Sequence, residues 1–211
     1  REILLLCAGV ELDSSFAALL ASVQGDARNR HPTFGLAMAV LPEAHWSALN
    51  PAATLRSWRL IEIAKSDSLT GSPLRIDERI LHYLTGVNHL DERLWGLVRP
   101  WKFSGLLVPS HQEIADCIAK AWSRPSKTGV WPVVELYGRE RNSKRDIAAA
   151  ACRKLGLDLY LVSGLLLPTN PLELETTLRL WNREAALSSN ALLLEPDETD
   201  APWIGNDDTQ E

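Results

Sequence analysis

The sequence predicts a mixed chain: an α+β N-terminal part of small helices and a two-stranded ribbon, then an incomplete α/β unit built on a parallel sheet. Three observations predict it. Short helical patterns broken by Asp, Gly and Pro run from Arg1 to Ser57. Two short alternating runs, Trp58–Ile63 and Leu74–Ile76, flank a polar, turn-rich loop. Finally, Trp131–Val162, WPVVELYGRERNSKRDIAAAACRKLGLDLYLV, is laid out as strand, loop, helix and second strand.

In chain order, Arg1–Ala8 and Asp13–Gln24 read as helices, the second opened by Asp13 or Ser14. Thr33 caps a third that Pro42 stops, and Pro51–Ser57 forms a fourth. WRLIEI and LRI pair across Lys65–Pro73, and Asp77 caps a helix over Glu78–Thr85. Leu90, Leu94, Leu97 and Val98 fall at helical spacing, so Val87–Arg99 is expected to pack as a helical face with Trp95 and Trp101 nearby. Pro100–Pro109 breaks the periodicity and marks the boundary between domains at 1–108 and 109–204, with an acidic, disordered tail over 205–211. His111–Ser123 is a helix, and SRPSKTG links it to the next strand.

Val133–Leu136 is an apolar run rich in β-branched residues, expected to be a central strand. Asp146–Leu155 is an alanine-rich helix closed by Gly156, and Leu157–Val162 is a strand expected to lie parallel to the first. The intervening turn holds Gly138 and Lys144 at phosphate-loop spacing. Ser143 stands where that loop has its last glycine, and Arg145 where it has the hydroxyl that holds magnesium. Gly138, Arg139, Arg141, Ser143, Lys144 and Arg145 can therefore offer weak phosphate contacts, to ATP or ADP, without a metal or hydrolysis. The plainer reading, a βα turn with a solvated basic loop, stays open. Pro171–Ser188 has an apolar helical stripe, and Ala191–Glu195, ALLLE, is a buried-type strand that ends in an acid followed by Pro196.

With these residues in view, the chain resembles the N-terminal portion of a bacterial AAA+ ATPase family. In that family a winged-helix-like domain and a degenerate AAA module precede a second, intact AAA module. The resemblance rests on REILLLCAGVELDSSF, LRIDERILHYLTGVNHLDERL, GRERNSKRD and NREAALSSNALLLEPDE, which are spread along the chain from Arg1 to Glu198. It implies a winged-helix-like domain followed by a partial P-loop NTPase-like (AAA) parallel sheet. Glu195 then ends a Walker B-like strand that lacks the usual Asp-Glu. The resemblance also implies a protein assembly partner, further AAA modules and a homo-oligomer formed through the parent protein, with hydrolysis in a module not present here. The strand between the two Walker-type strands would be missing, so their edges are expected to pair directly, leave a gap or stand exposed.

Composition narrows the alternatives. With 211 residues, 45% hydrophobic and 23% charged, core is ample for one large or two small domains. Glu195–Glu211 holds seven of the 27 acids and no Lys or Arg, so the body carries 20 acids against 22 bases and no broad nucleic-acid footprint. Arg28, Arg30 and His31, with Arg56, Arg59 and Lys65, form at most a small basic patch. The predicted third helix has no basic residue. DNA is therefore the alternative partner, through a winged-helix regulatory protein. A P-loop kinase-like enzyme is weaker still, because it lacks the Ser/Thr. Cys7, Cys117 and Cys152 have no CxxC spacing and suit a reducing, cytoplasmic setting. The five histidines show no metal-ligand spacing, and no GxSxG or Cys–His arrangement offers hydrolase chemistry. The eight tryptophans are irregularly spaced and read as core or interface residues. No apolar run approaches the ~20 residues that span a bilayer. The start at Arg1, inside an apolar helical pattern, leads us to expect a piece of a longer product.

Overall fold

The computed structural model describes residues 1–103, 105–123 and 131–196, and the chain divides into two compact units, Arg1–Asp91 and Glu92–Glu211. The predicted tail at 205–211 and most of the SRPSKTG link lie outside the described residues.

In the first unit, helix α1 (Glu2–Leu12) packs on α2 (Ser14–Gln24). Asp13 accepts from the Ser15 N–H at 2.8 Å and so caps α2, and Gly25 closes it in the left-handed region at φ +68°. Helix α3 (Phe34–Val40) starts where Thr33 Oγ1 accepts from the Leu36 N–H at 3.0 Å. A single turn, α4 (Thr54–Ser57), leads into the ribbon. Its strands β1 (Ile61–Ile63) and β2 (Leu74–Ile76) are antiparallel, with Glu62 opposite Arg75 on the wet face and Ile61 opposite Ile76 on the buried one. The Gly35 N–H donates to the Thr70 carbonyl, and the Leu74 N–H to the Pro32 carbonyl, both at 2.8 Å. The ribbon is thereby tied to the start of α3. A Cβ at Gly35 would stand 3.3 Å from the Thr70 oxygen, which explains why this close approach takes a glycine. Helix α5 (Glu78–Leu84) is capped by the buried Asp77. These boundaries follow the predicted elements within a few residues.

The second unit is a three-stranded mixed sheet with helices on both faces. Strand β3 (Val98–Trp101) runs antiparallel to β4 (Asp158–Ser163), and β4 runs parallel to β5 (Asn190–Glu195). Helix α6 (Pro109–Trp122) packs on α7 (Arg141–Lys154), and the 18-residue α8 (Pro171–Ser188) connects β4 to β5. Ala149 and Cys152 of α7 meet Leu159, Leu161 and Ala191 on one side of the sheet. On the opposite side Trp181 of α8 sets its ring edge-on to Tyr160 at 5.6 Å. The apolar runs of β4 and β5 thus suit strands covered on both faces.

Two predicted elements differ. Val133–Leu136 is not a strand and has no ladder partner among the described residues, so the expected parallel pair with Leu157–Val162 does not form. The parallel partner of β4 is β5. The segment keeps strand-like alternation all the same: Val134 and Leu136 pack against Ala115, Ile118, Ile147, Ala150 and Ala151, while Val133 and Tyr137 face water. Of the three expectations for the Walker-type edges, direct pairing is absent among the described residues. The second difference is Val87–Arg99, which holds one 3-10 turn, Glu92–Leu94, and then strand β3 where a helical face was expected. Gly96, at φ +79°, breaks the helical path between them.

Candidate functional site

The predicted cradle lies at the start of α7, and the helix begins earlier than its composition suggests. Gly138 sits three residues before it in a positive-φ conformation of +142°, which suits a residue without a Cβ. Arg139 and Glu140 are exposed loop residues, and Glu140 caps the helix without a side-chain bond. Arg141, Ser143, Lys144 and Arg145 all stand in the first turns of the helix and not in a loop. The Lys144 N–H is already spent on the Glu140 carbonyl at 3.2 Å. The stretch is thus a short bend leading into a helix N-terminus, where the helix dipole and uncommitted N–H groups favour negative charge.

One acid answers that field. The Arg145 guanidinium grips Glu195, the last residue of β5, through Nε to Oε1 at 2.5 Å and Nη2 to Oε2 at 2.8 Å. Both side chains are largely buried, at 11% and 14% exposure. The third face of the guanidinium is also engaged, with Nη1 donating to Asn142 Oδ1 at 3.0 Å. Arg99 of β3 approaches the same carboxylate, Nη2 to Oε2 at 3.8 Å, from a more exposed position. Arg145 holds the Glu195 carboxyl below the ordinary carboxylate range, aided by Arg141 and Arg99. Glu195 in turn pushes the Arg145 guanidinium up.

Trp101 organises the cluster. Its ring lies 5.0 Å from the Arg145 guanidinium and 6.0 Å from that of Arg99, and its indole N–H donates to Asp146 Oδ1 at 3.1 Å. Side chains from β3, α7 and β5 therefore meet at the carboxyl end of β5, the end at which open α/β sheets present ligands. Arg99, Trp101 and the pairing role of Glu195 are not legible in the sequence. Arg145 and Glu195 are 50 residues apart and Trp101 and Asp146 45 apart, and no spacing rule links them.

The donor set does not fit a divalent ion. The residue after Lys144 is a cation, Arg145, and it is bonded to the acid that ends β5. Among the described residues, no three His, Cys, Asp or Glu side chains gather closely enough to hold a metal ion. Nor do the buried thiols supply a nucleophile: burial pushes Cys7 up to about 12 and Cys152 up to about 11.

In the first unit, α3 is apolar and largely buried through Phe34, Leu36 and Ala37. It presents no Arg or Lys to a phosphate backbone. No helix among the described residues is long and apolar enough to cross a membrane. Comparison with curated proteins and with solved structures returned no match. The family model described as "Winged helix domain, variant" matches residues 1–98, which takes in every helix of the first unit and its ribbon. A winged helix domain is thus present at the N-terminus, and the match stops short of α6, α7 and β5.

Proposed function

We propose that this chain is a docking and assembly region of an AAA+ ATPase, in which a winged helix domain precedes a nucleotide-type unit that does not hydrolyse ATP. The observation that carries the reading is the paired Arg145 and Glu195. One occupies the place of a metal-binding hydroxyl after Lys144, and the other ends the strand where a catalytic acid would sit. An ion pair in place of a metal site leaves a scaffold able to hold an anion at the start of α7 and unable to position magnesium or water for phosphoryl transfer. Hydrolysis then belongs to another AAA module, and this chain contributes protein–protein contacts. The apolar, base-free α3 supports a protein partner over DNA.

Titration calorimetry with ATP and ADP, with and without magnesium, tests the reading. Weak binding that ignores magnesium and falls at least about tenfold in Lys144→Ala is the expected result. ATP turnover by the chain, lost in Lys144→Ala, would overturn the non-hydrolysing half. The winged helix domain also fits a DNA-binding regulatory protein. A duplex DNA shift at moderate salt, abolished by replacing Arg28 and Arg30, would favour that second reading.

A further inference from the structure

We propose that the Glu195 carboxylate is a built-in occupant of an oxyanion site formed by Arg145 and Arg99, so that a phosphate-type anion binds only by displacing it. The class of ligand rests on the nucleotide-type reading above; the site itself rests on geometry. Arg145 addresses both oxygens of Glu195 with its Nε–Nη2 edge, at 2.5 and 2.8 Å, and the same fork matches two oxygens of a phosphate. Its orientation is held as well by Trp101, at 5.0 Å from the guanidinium, and by Asn142, at 3.0 Å from Nη1. An incoming anion therefore meets a guanidinium that is already ordered, which removes part of the entropy cost of binding.

Arg99 adds a second guanidinium 3.8 Å from the acid on a side chain that is 59% exposed, marking the direction from which solvent reaches the cluster. Arg141, at the first position of the 14-residue α7, lowers the same carboxyl through its charge. An acid placed among these groups is an intramolecular competitor. Its effective concentration is high because it is fixed to the end of β5, so free anions meet a site that is already filled.

The test is titration calorimetry with inorganic pyrophosphate in magnesium-free buffer, with circular dichroism to establish that each variant is folded. Glu195→Gln keeps the size and one acceptor but removes the charge, and it is expected to bind pyrophosphate about tenfold more tightly than wild type, the worth of one charge-assisted hydrogen bond. Adding Arg145→Gln should abolish the gain, and adding Arg99→Gln should cut it several-fold. The proposal fails if Glu195→Gln binds no more tightly than wild type, or if the gain survives without Arg145. Should the Arg145 double variant not fold, the Arg99 double variant decides, because that side chain is mostly in water. Lys144→Ala separates this outcome from the nucleotide reading. A pyrophosphate gain in Glu195→Gln alongside ATP binding indifferent to Lys144→Ala would keep the self-filled site and discard the phosphate-loop ancestry.

Discussion

Arg145 and Glu195 hold each other in a setting that is mostly closed to water, and removing one partner costs more than the pair contributes. Arg145→Met leaves a carboxylate without its cation and is expected to lower stability by about 2–3 kcal/mol in urea unfolding, with a smaller loss for Glu195→Gln. The pH dependence has a definite sign. The folded Glu195 carboxyl titrates below its ordinary value of 4.5, so its contribution is full above that value. It is lost as the pH falls through the lower, folded value. The unfolding midpoint of wild type should therefore fall more steeply below about pH 4.5 than that of Glu195→Gln. Thiol accessibility gives a second test at this scale. Cys117 is exposed, whereas Cys7 and Cys152 are buried with raised values. A thiol reagent at pH 8 should modify one of the three cysteines quickly in the native chain and all three once it is unfolded.

Helix ends decide how firmly each element is held. Thr33 caps α3 from a buried position, and Thr33→Ala should cost about 1–2 kcal/mol. Ser189 closes α8 with φ 53°, a left-handed conformation in which a side chain is strained, so Ser189→Gly should raise stability by about 0.5–1 kcal/mol. Both are read as shifts of the urea midpoint at unchanged slope. This is also the scale at which the sequence was most informative. Pro171–Ser188 and Leu74–Ile76 appear as predicted, because an apolar stripe at helical spacing and a short apolar run just before the capping Asp77 are local signals. Val133–Leu136 shows the limit. Its apolar, β-branched character was legible and Val134 and Leu136 do pack, but a strand also needs a neighbour to bond to, and composition carries no information about that. Strand β3 was hidden for the opposite reason, since Leu90, Leu94, Leu97 and Val98 imitate helical spacing across Gly96. Of the candidate site, Lys144, Arg145 and the acid ending β5 could be picked out one by one. The meeting of Arg145 and Glu195 beside Trp101 depends on the register of β3 against β4, which lies in the pairing of distant segments.

Across the molecule, each unit leaves large apolar side chains in water. Leu5, Leu12, Leu19 and Val23 do so on α1 and α2, and Leu106, Val133, Tyr137 and Leu165 in the second unit. Where such side chains adjoin, they mark places where a protein meets another. The folded chain is expected to enhance the fluorescence of a hydrophobic dye below its unfolding transition, and Leu12→Glu with Leu19→Glu should lower that signal without moving the transition by more than about 0.5 kcal/mol. Unchanged dye fluorescence in the double variant would remove α1 and α2 as a contact surface.

The outer margins of the three-stranded sheet are unlike each other. β3 carries Arg99 and Pro100, a charge and a residue with no N–H to offer, whereas NALLLE in β5 has no charge before its last residue and leaves Leu194 half in water. Among the described residues, lengthening of this sheet is thus favoured in one direction: Pro100 disfavours a further strand, and the edge at Leu192 and Leu194 suits one.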